Sequence, residues 1–226
     1  MKKEYKINLN EDEYIIEIEK KDLEYIDGYA AFACYINDEV AVSAVLDENM
    51  ETVLPPTLSF TEDLENYISV FKGHKAIYPF DGLYYVIDIP TADFKKNDIG
   101  NKPVNYKKVF NYYEVIDEER VIVERQERYR LYNIVEDEYL SDKFDSIHME
   151  NDIVLACLLF GYANNQALYT TLTMDKNGKI RNKFYIDDIE CKAYDKEIFK
   201  VDNLKDFSLK TFVDIHGEQE KCKILN

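Results

Sequence analysis

Two similar eight-residue phrases, identical at five of their eight positions, occur in this chain of 226 residues. Residues 8–15 read N-L-N-E-D-E-Y-I, and residues 133–140 read N-I-V-E-D-E-Y-L. Weaker copies of the same unit align on an Asp or Asn that follows apolar residues, at Asn8, Asp47, Asp88, Asn133, Asp175 and Asp214. Self-similarity with a period of about 40 residues is typical of repeat architectures. We therefore expect residues 1–226 to form a single domain of tandem repeats.

Each copy contains a strand, a polar turn and a second strand, and then a denser apolar strand. Asn177-Gly178 favours a tight hairpin turn because both residue types tolerate positive φ. The pattern predicts turns at about 10–13, 47–51, 135–138, 176–178 and 215–219. It also predicts a buried core that includes Ala31, Phe32, Val70, Val121, Ile122, Leu155, Ala156, Leu158 and Ile198.

The density of these strands indicates the fold class. About four short strands in every 40 residues is typical of a propeller blade or a β-hairpin array. Only residues 60–71 could also be interpreted as helix, and the other copies favour strand there. We predict an all-β fold of five copies and a half, as a propeller-like ring or an open curved array.

The third copy is about a dozen residues longer than the others, and the surplus lies at 89–105. Pro90, Gly100 and Pro103 in this segment predict an irregular, protruding loop outside the β scaffold. Loops often carry function. The alternative is a solvated insertion without a role.

The same region is basic in an acidic chain. Residues 94–108 contain one aspartate and five lysines, namely Lys95, Lys96, Lys102, Lys107 and Lys108. Their net charge of +4 leaves −21 for the remaining residues of a chain whose net charge is −17. We expect these lysines to contact acidic or phosphate groups of a partner, or the acidic face of a second copy.

The net charge also restricts the partners of the whole chain. With 45 acidic and 28 basic residues, the chain repels nucleic acids and anionic membranes and attracts basic proteins. We expect a non-catalytic protein-interaction module, such as an inhibitor or immunity-type protein that blocks a basic, nucleic-acid-binding enzyme. The candidate contact residues in acidic turns are Glu11, Asp12, Glu13, Glu136, Asp137 and Glu138.

A second function class stays open. Propeller folds also host carbohydrate-binding proteins and glycoside hydrolases, which use Asp and Glu on the central face. In this alternative, the aspartates to inspect are Asp47, Asp88, Asp175 and Asp214.

Sequence motifs for metal or cofactor binding are absent, so we expect no cofactor. His74, His148 and His216 occur singly, and the acidic turns lack the ligand spacing of a calcium loop. The cysteines (Cys34, Cys157, Cys191 and Cys222) form no C-x-x-C pair. Together with a first segment that lacks the apolar core of a signal peptide, they predict a cytoplasmic protein.

Several phrases resemble the WG-repeat family, bacterial proteins with tandem β-rich repeats. The phrases are Tyr84-Tyr85-Val86-Ile87-Asp88, Met174 to Ile180, Val53-Leu54-Pro55-Pro56, and Lys143-Phe144-Asp145-Ser146-Ile147. No copy has the Trp-Gly pair of that family, because the chain contains no tryptophan. The resemblance implies a repeat scaffold for interactions, without an active site to transfer.

Overall fold

The computed structural model describes residues 1–9, 12–36, 40–59, 67–97, 100–150, 153–163, 166–187 and 223–224. Within these ranges the chain forms β-strands, turns and two short 3-10 helices at Lys20–Asp22 and Ile89–Thr91. The prediction of an all-β fold is therefore confirmed. Its finer part, a ring or open array of repeats, stays a prediction.

The chain divides into two compact units. The first comprises residues 1–119 and 134–137, and the second comprises residues 120–133 and 138–226. Our expectation of a single domain stays a prediction. The first unit contains strands β1 (Lys2–Leu9), β2 (Asp12–Glu19), β3 (Tyr29–Tyr35), β4 (Ala41–Asp47), β5 (Thr52–Ser59), β6 (Ser69–Phe71), β7 (Lys75–Phe80), β8 (Leu83–Asp88), β9 (Phe94–Asn97), β10 (Gly100–Pro103), β11 (Lys108–Phe110) and β12 (Tyr112–Val115).

These strands form small antiparallel sheets. β1 pairs with β2, β9 pairs with β10, and the larger sheets have the orders β3-β4-β5 and β11-β8-β7-β6. β7 and β8 are joined by Asp81 and Gly82, which both have positive φ (53° and 69°), as a tight primed hairpin turn requires. The cluster around Tyr78, Tyr85 and Ile87 forms one core of this unit.

The second unit contains strands β13 (Arg120–Glu124), β14 (Tyr129–Asn133), β15 (Glu138–Tyr139), β16 (Ser146–Glu150), β17 (Ile153–Ala163), β18 (Gln166–Met174), β19 (Ile180–Asp187) and β20 (Lys223–Ile224). β14 pairs with β13 and with β15. The other sheet has the order β16-β17-β18-β19, and β20 pairs with β17. Val121, Ile122, Leu131 and Tyr132 are buried in this unit.

The turn predictions can be compared with these strands. Turns at 47–51, 135–138 and 176–178 are confirmed, since they join β4 to β5, β14 to β15 and β18 to β19. β1 and β2 form the hairpin expected around 10–13, with Leu9 opposite Asp12. The turn at 215–219 lies outside the described residues, as do residues 60–66 of the ambiguous segment.

The core prediction was right for some residues and wrong for others. Val121, Ile122 and Ala156 are buried, whereas Ala31, Phe32, Val70, Leu155 and Leu158 are only half-buried. Ile198 lies outside the described residues. In β3 the buried residue is Ala30, because β3 lies at the edge of its sheet and the central strand β4 has both faces covered.

The prediction of an irregular loop at 89–105 was wrong. The segment contains a 3-10 helix and the β9–β10 hairpin, in which Gly100 pairs with Asn97 and Pro103 with Phe94. A two-stranded ribbon pairs each strand on one side only, so a proline in the ribbon need not break its ladder. Whether the segment is an insertion into a repeat stays a prediction.

The β4–β5 hairpin of the first unit and the β18–β19 hairpin of the second have the same register next to their turns, although β4–β5 shifts register once more, between Ser43 and Val45. The pairs in β4–β5 are Val45↔Leu54 and Leu46↔Thr52, and those in β18–β19 are Thr173↔Asn182 and Met174↔Ile180. Both ladders therefore skip one residue at the same place, 128 positions apart. The turn that follows each bulge begins at an aspartate, Asp47 or Asp175.

The two aspartates form the same hydrogen bonds. Oδ1 of Asp47 accepts the amide protons of Asn49 (2.9 Å) and Glu51 (2.8 Å). Oδ1 of Asp175 accepts those of Asn177 (3.0 Å) and Lys179 (3.0 Å). The fourth residue of each turn has positive φ, 65° at Met50 and 75° at Gly178. Asp47 and Asp175, two of the aspartates on which the proposed copies align (the anchor aspartates), thus have the same local geometry.

Candidate functional site

The β9–β10 hairpin, which carries three of the five candidate lysines, is packed onto the core of the first unit. The Phe94 ring lies 4.8 Å from that of Tyr78 between centroids, and Pro103 is buried opposite Phe94. Ile89 belongs to the same core cluster. Because apolar residues lie at the start and end of the hairpin, they fix its base to the sheet.

Polar contacts also fix the base of the hairpin. Oδ1 of Asn105 accepts the amide proton of Asp93 (2.6 Å), and its Nδ2 donates to the carbonyl of Thr91. The amide of Val104 donates to the carbonyl of Asp93 (3.0 Å). Side-chain and backbone bonds therefore hold the two ends of the hairpin together.

The lysines project from this anchored ribbon into solvent. Lys95 and Lys102 lie directly opposite each other, on the face away from Phe94 and Pro103, whereas Lys96 is opposite Asn101. All three lysines are exposed, and none forms an ion pair with a residue that the structure describes. Like charges at directly opposite positions destabilise a strand pair. The Lys95–Lys102 pair is therefore unfavourable for the hairpin alone.

An open cleft of about 160 Å³ lies at the base of the hairpin. Its lining residues are Asp88, Thr91, Asn105, Tyr106 and Lys107. The carboxylate of Asp88 pairs with Lys75 and, at 3.6 Å, with Lys107, so two cations surround one anion. The Tyr106 ring packs edge-on against Tyr85, with 4.9 Å between centroids, and remains 46% exposed. The cleft thus combines an aromatic wall with the ammonium group of Lys107 and the carboxylate of Asp88.

The remaining basic candidate, Lys108, lies on β11 and pairs with Asp137 at 2.8 Å. The structure therefore joins a predicted basic residue to a predicted acidic one within the first unit. Glu136 and Glu138 are exposed around the same turn.

The acidic candidates of the N-terminal hairpin have a different setting. Glu13 is exposed on β2 and pairs with Lys6 at 2.9 Å. Asp12 begins β2, and Glu11 lies outside the described residues. The acidic candidates therefore belong to two separate hairpin turns.

The anchor aspartates named for the carbohydrate alternative have structural contacts. Oδ1 of Asp47 and Oδ1 of Asp175 cap their own turns, and Asp88 pairs with two lysines. The hydrogen bond from the Glu51 amide, followed by that from Asn49, lowers the pKa of Asp47. Asp214 lies outside the described residues.

This lowered pKa gives a testable pH dependence. A carboxyl group whose folded pKa lies below its unfolded value of about 3.9 stabilises the fold above that pH, and the stabilisation is lost as the pH falls through the folded pKa. We expect Asp47→Ala to lower the melting temperature at pH 7 and to have a smaller effect near pH 2.5. Asp47→Asn keeps an acceptor without the charge, so it should lower the melting temperature less than Asp47→Ala does, and its effect should also shrink near pH 2.5, because neither variant titrates at this position while the wild type does. A pH-independent effect of Asp47→Ala would contradict the ionised cap.

The cysteine and histidine candidates show no arrangement for chemistry. Cys34 and Cys157 form no disulfide bond with a described residue, and burial raises the pKa of Cys34, which keeps it protonated and weakly nucleophilic. His74 is exposed and contacts the Tyr29 ring, and His148 is exposed on β16. Cys191, Cys222 and His216 lie outside the described residues. Among the residues placed by the structure, no three His, Cys, Asp or Glu side chains converge as metal ligands.

The sequence matches no protein-family model and no curated protein. The resemblance to WG-repeat proteins therefore stays a prediction. In the part of the chain that the structure describes, no helix has the length and apolar character that a membrane span needs.

Sequence reasoning missed Val104, Asn105 and Tyr106. A tyrosine directly before Lys107 and Lys108 was the available signal, since tyrosine is enriched at protein–protein interfaces. The role of Asn105 could not be read from the sequence, because it depends on contacts with Thr91 and Asp93 across the hairpin.

Proposed function

We propose that this protein is a non-catalytic protein-interaction module built from repeated β-hairpin units, arranged as a propeller-like ring or an open curved array. The observation that supports this most is the shared geometry of the β4–β5 and β18–β19 hairpins at their turns, with the same bulge next to the turn and the same aspartate cap. Residues at equivalent positions differ, as Met50 and Gly178 do. A repeated backbone with variable side chains is how repeat proteins build extended binding surfaces.

The net charge of the chain favours a basic protein as the partner of this module. A net charge of −17 attracts a basic protein and accelerates its association by long-range steering. An inhibitor or immunity-type protein that blocks a nucleic-acid-binding enzyme fits this charge, because exposed carboxylates can occupy sites made for phosphates. Glu136 and Glu138, which are exposed beside one hairpin turn, are the contact residues to test first.

The contacts of the anchor aspartates do not support the carbohydrate alternative. A glycosidase needs carboxyl groups that are available to a sugar, one of them as an acid with raised pKa. Asp47 and Asp175 instead cap turns, and Asp88 is held between two lysines. Turnover of a sugar or an ester that is abolished by replacing a single aspartate would nevertheless favour the enzyme and overturn the proposal.

The proposal is tested by measuring the association of the full chain with a lysine- and arginine-rich peptide as salt is raised. We expect the association rate to fall between about 50 and about 300 mM NaCl, because charges are screened over a shorter distance. Glu136→Gln combined with Glu138→Gln should weaken binding roughly two- to tenfold, as exposed charge pairs contribute modestly.

A matched control separates a specific site from net charge. Asp22→Asn combined with Glu24→Gln removes the same charge from exposed positions near the end of β2. The two double variants should differ, with the larger loss for Glu136 and Glu138. Equal losses would mean that the peptide responds to net charge alone, and the proposed contact site would be wrong.

A further inference from the structure

We propose that the β9–β10 hairpin and the cleft at its base form a second binding surface, which takes an acidic peptide segment of a partner protein. This lysine surface consists of Lys95, Lys102, Val104, Tyr106 and Lys107. It goes beyond the function proposed above, because its charge is opposite to that of the acidic turns and its ligand is acidic.

The electrostatics of the hairpin favour an anion as ligand. Lys95 and Lys102 are opposite each other and exposed, without an acidic partner in the described ranges. A carboxylate between the two ammonium groups would replace their repulsion by two attractions. Farther along the chain, Lys107 shares the carboxylate of Asp88 with Lys75, and its side chain is half exposed, so its ammonium group can also meet a ligand.

The surface is fixed in shape before a ligand arrives. Phe94 packs on Tyr78, Pro103 is buried, and Asn105 ties together the two ends of the hairpin. A rigid surface loses little conformational entropy on binding. The anchored hairpin therefore loses less conformational entropy on binding a partner than a flexible loop with the same lysines would lose.

Apolar groups beside the lysines indicate a peptide. Val104 directly follows β10 and is 48% exposed, and Tyr106 lines the cleft and is 46% exposed. A free phosphate has no apolar group that could pack on these side chains. A peptide with an apolar residue near its carboxylates can bury that residue against them, which stabilises the complex. The neighbouring side chains thus favour an acidic peptide with at least one apolar anchor.

The charge of the rest of the chain limits the size of the ligand. Outside residues 94–108 the net charge is −21. A long polyanion would extend over this repulsive surface, and a second copy would bring its own net charge of −17. A short acidic segment meets the lysines and little else, so local attraction can exceed the repulsion.

The test uses the full chain and a labelled short peptide that carries several Glu residues with one Leu and one Phe, followed by fluorescence anisotropy. Lys95→Glu combined with Lys102→Glu should weaken binding roughly tenfold or more, since each change replaces attraction by repulsion. The matched control, Lys2→Glu with Lys21→Glu, makes the same charge change at other exposed lysines and should have a smaller effect. Equal effects, or no binding to the wild-type chain, would overturn the proposal.

The apolar contact is tested separately. Tyr106→Ala should weaken binding of this peptide but not of a version with Ser in place of Leu and Phe. Equal losses for both peptides would overturn the role of Tyr106. Unchanged melting temperatures for all variants show that the losses do not come from unfolding.

Two further measurements distinguish the other occupants. Tighter binding of inorganic polyphosphate than of the peptide, with the same dependence on Lys95 and Lys102, would replace the peptide by a phosphate-bearing ligand. Sedimentation of the wild-type chain as a dimer that dissociates in the Lys95→Glu, Lys102→Glu variant would assign the surface to a second copy. A monomer that binds the peptide and not polyphosphate supports the proposal.

Discussion

Replacing Leu46 by alanine is expected to lower the free energy of unfolding by about 2–5 kcal/mol. Leu46 is fully buried at the end of β4 and forms a core cluster with Ile18 and Met50. Removing its side chain loses apolar burial and leaves a cavity that this packed cluster can only partly fill. Chemical denaturation by urea, followed by circular dichroism, measures the change.

Leu58 provides the matched control for this prediction. It lies on β5 of the same sheet and is 38% exposed. Leu58→Ala removes the same atoms from a position where water already contacts them, so we expect a loss below about 1 kcal/mol. Losses of similar size in both variants would show that the cluster around Leu46 does not hold this part of the fold.

The turns of the fold could be predicted from the sequence because their chemistry is local. Asn177-Gly178 indicates its turn directly, and Asp175 caps it by bonds to amides only two and four residues away. The turn at 47–51 has no glycine, and the alignment of copies located it through Asp47. Local hydrogen bonds of this kind do not depend on the rest of the fold.

The hairpin at 94–103 could not be predicted in the same way. Gly100 and Pro103 are poor strand residues, and the sequence does not show that a ribbon with only one ladder tolerates them. What stabilises this ribbon is the contact of Phe94 with Tyr78, which belongs to another sheet. Tertiary packing overrides local propensity here.

In the candidate site, too, some features could be predicted from the sequence and others depend on tertiary contacts. The lysines follow from composition, because a run of basic residues in an acidic chain is visible without coordinates. The cleft does not, because it requires Asp88 to meet Lys75 through the β7–β8 register and Lys107 through the pairing of β8 with β11. Burial was also predicted poorly in β3, where Ala31 and Phe32 lie on opposite faces of an edge strand and each packs only partly against a different core cluster.

The second large effect is expected at Gly178, in the turn between β18 and β19. Gly178 has φ +75°, and a Cβ added there would lie 1.9 Å from the carbonyl oxygen of Leu140 and 2.6 Å from its carbon. Backbone atoms cannot move aside as a flexible side chain can. We expect Gly178→Ala to lower the free energy of unfolding by about 2–5 kcal/mol, from left-handed strain of about 1–2 kcal/mol and the displacement of packed backbone.

A substitution at Gly82 distinguishes left-handed backbone strain from the clash with Leu140. Its φ of +69° is similar, but an added Cβ would meet no atom within 4 Å, so Gly82→Ala should lose only the strain of about 1–2 kcal/mol. Met50 occupies the equivalent turn position with φ 65° and buries its side chain beside Leu46, so the turn itself accepts a Cβ. The difference between the two glycine variants, measured by urea denaturation, therefore reports the approach of Leu140. Equal losses would mean that Leu140 yields without cost and that the two turns tolerate a side chain alike.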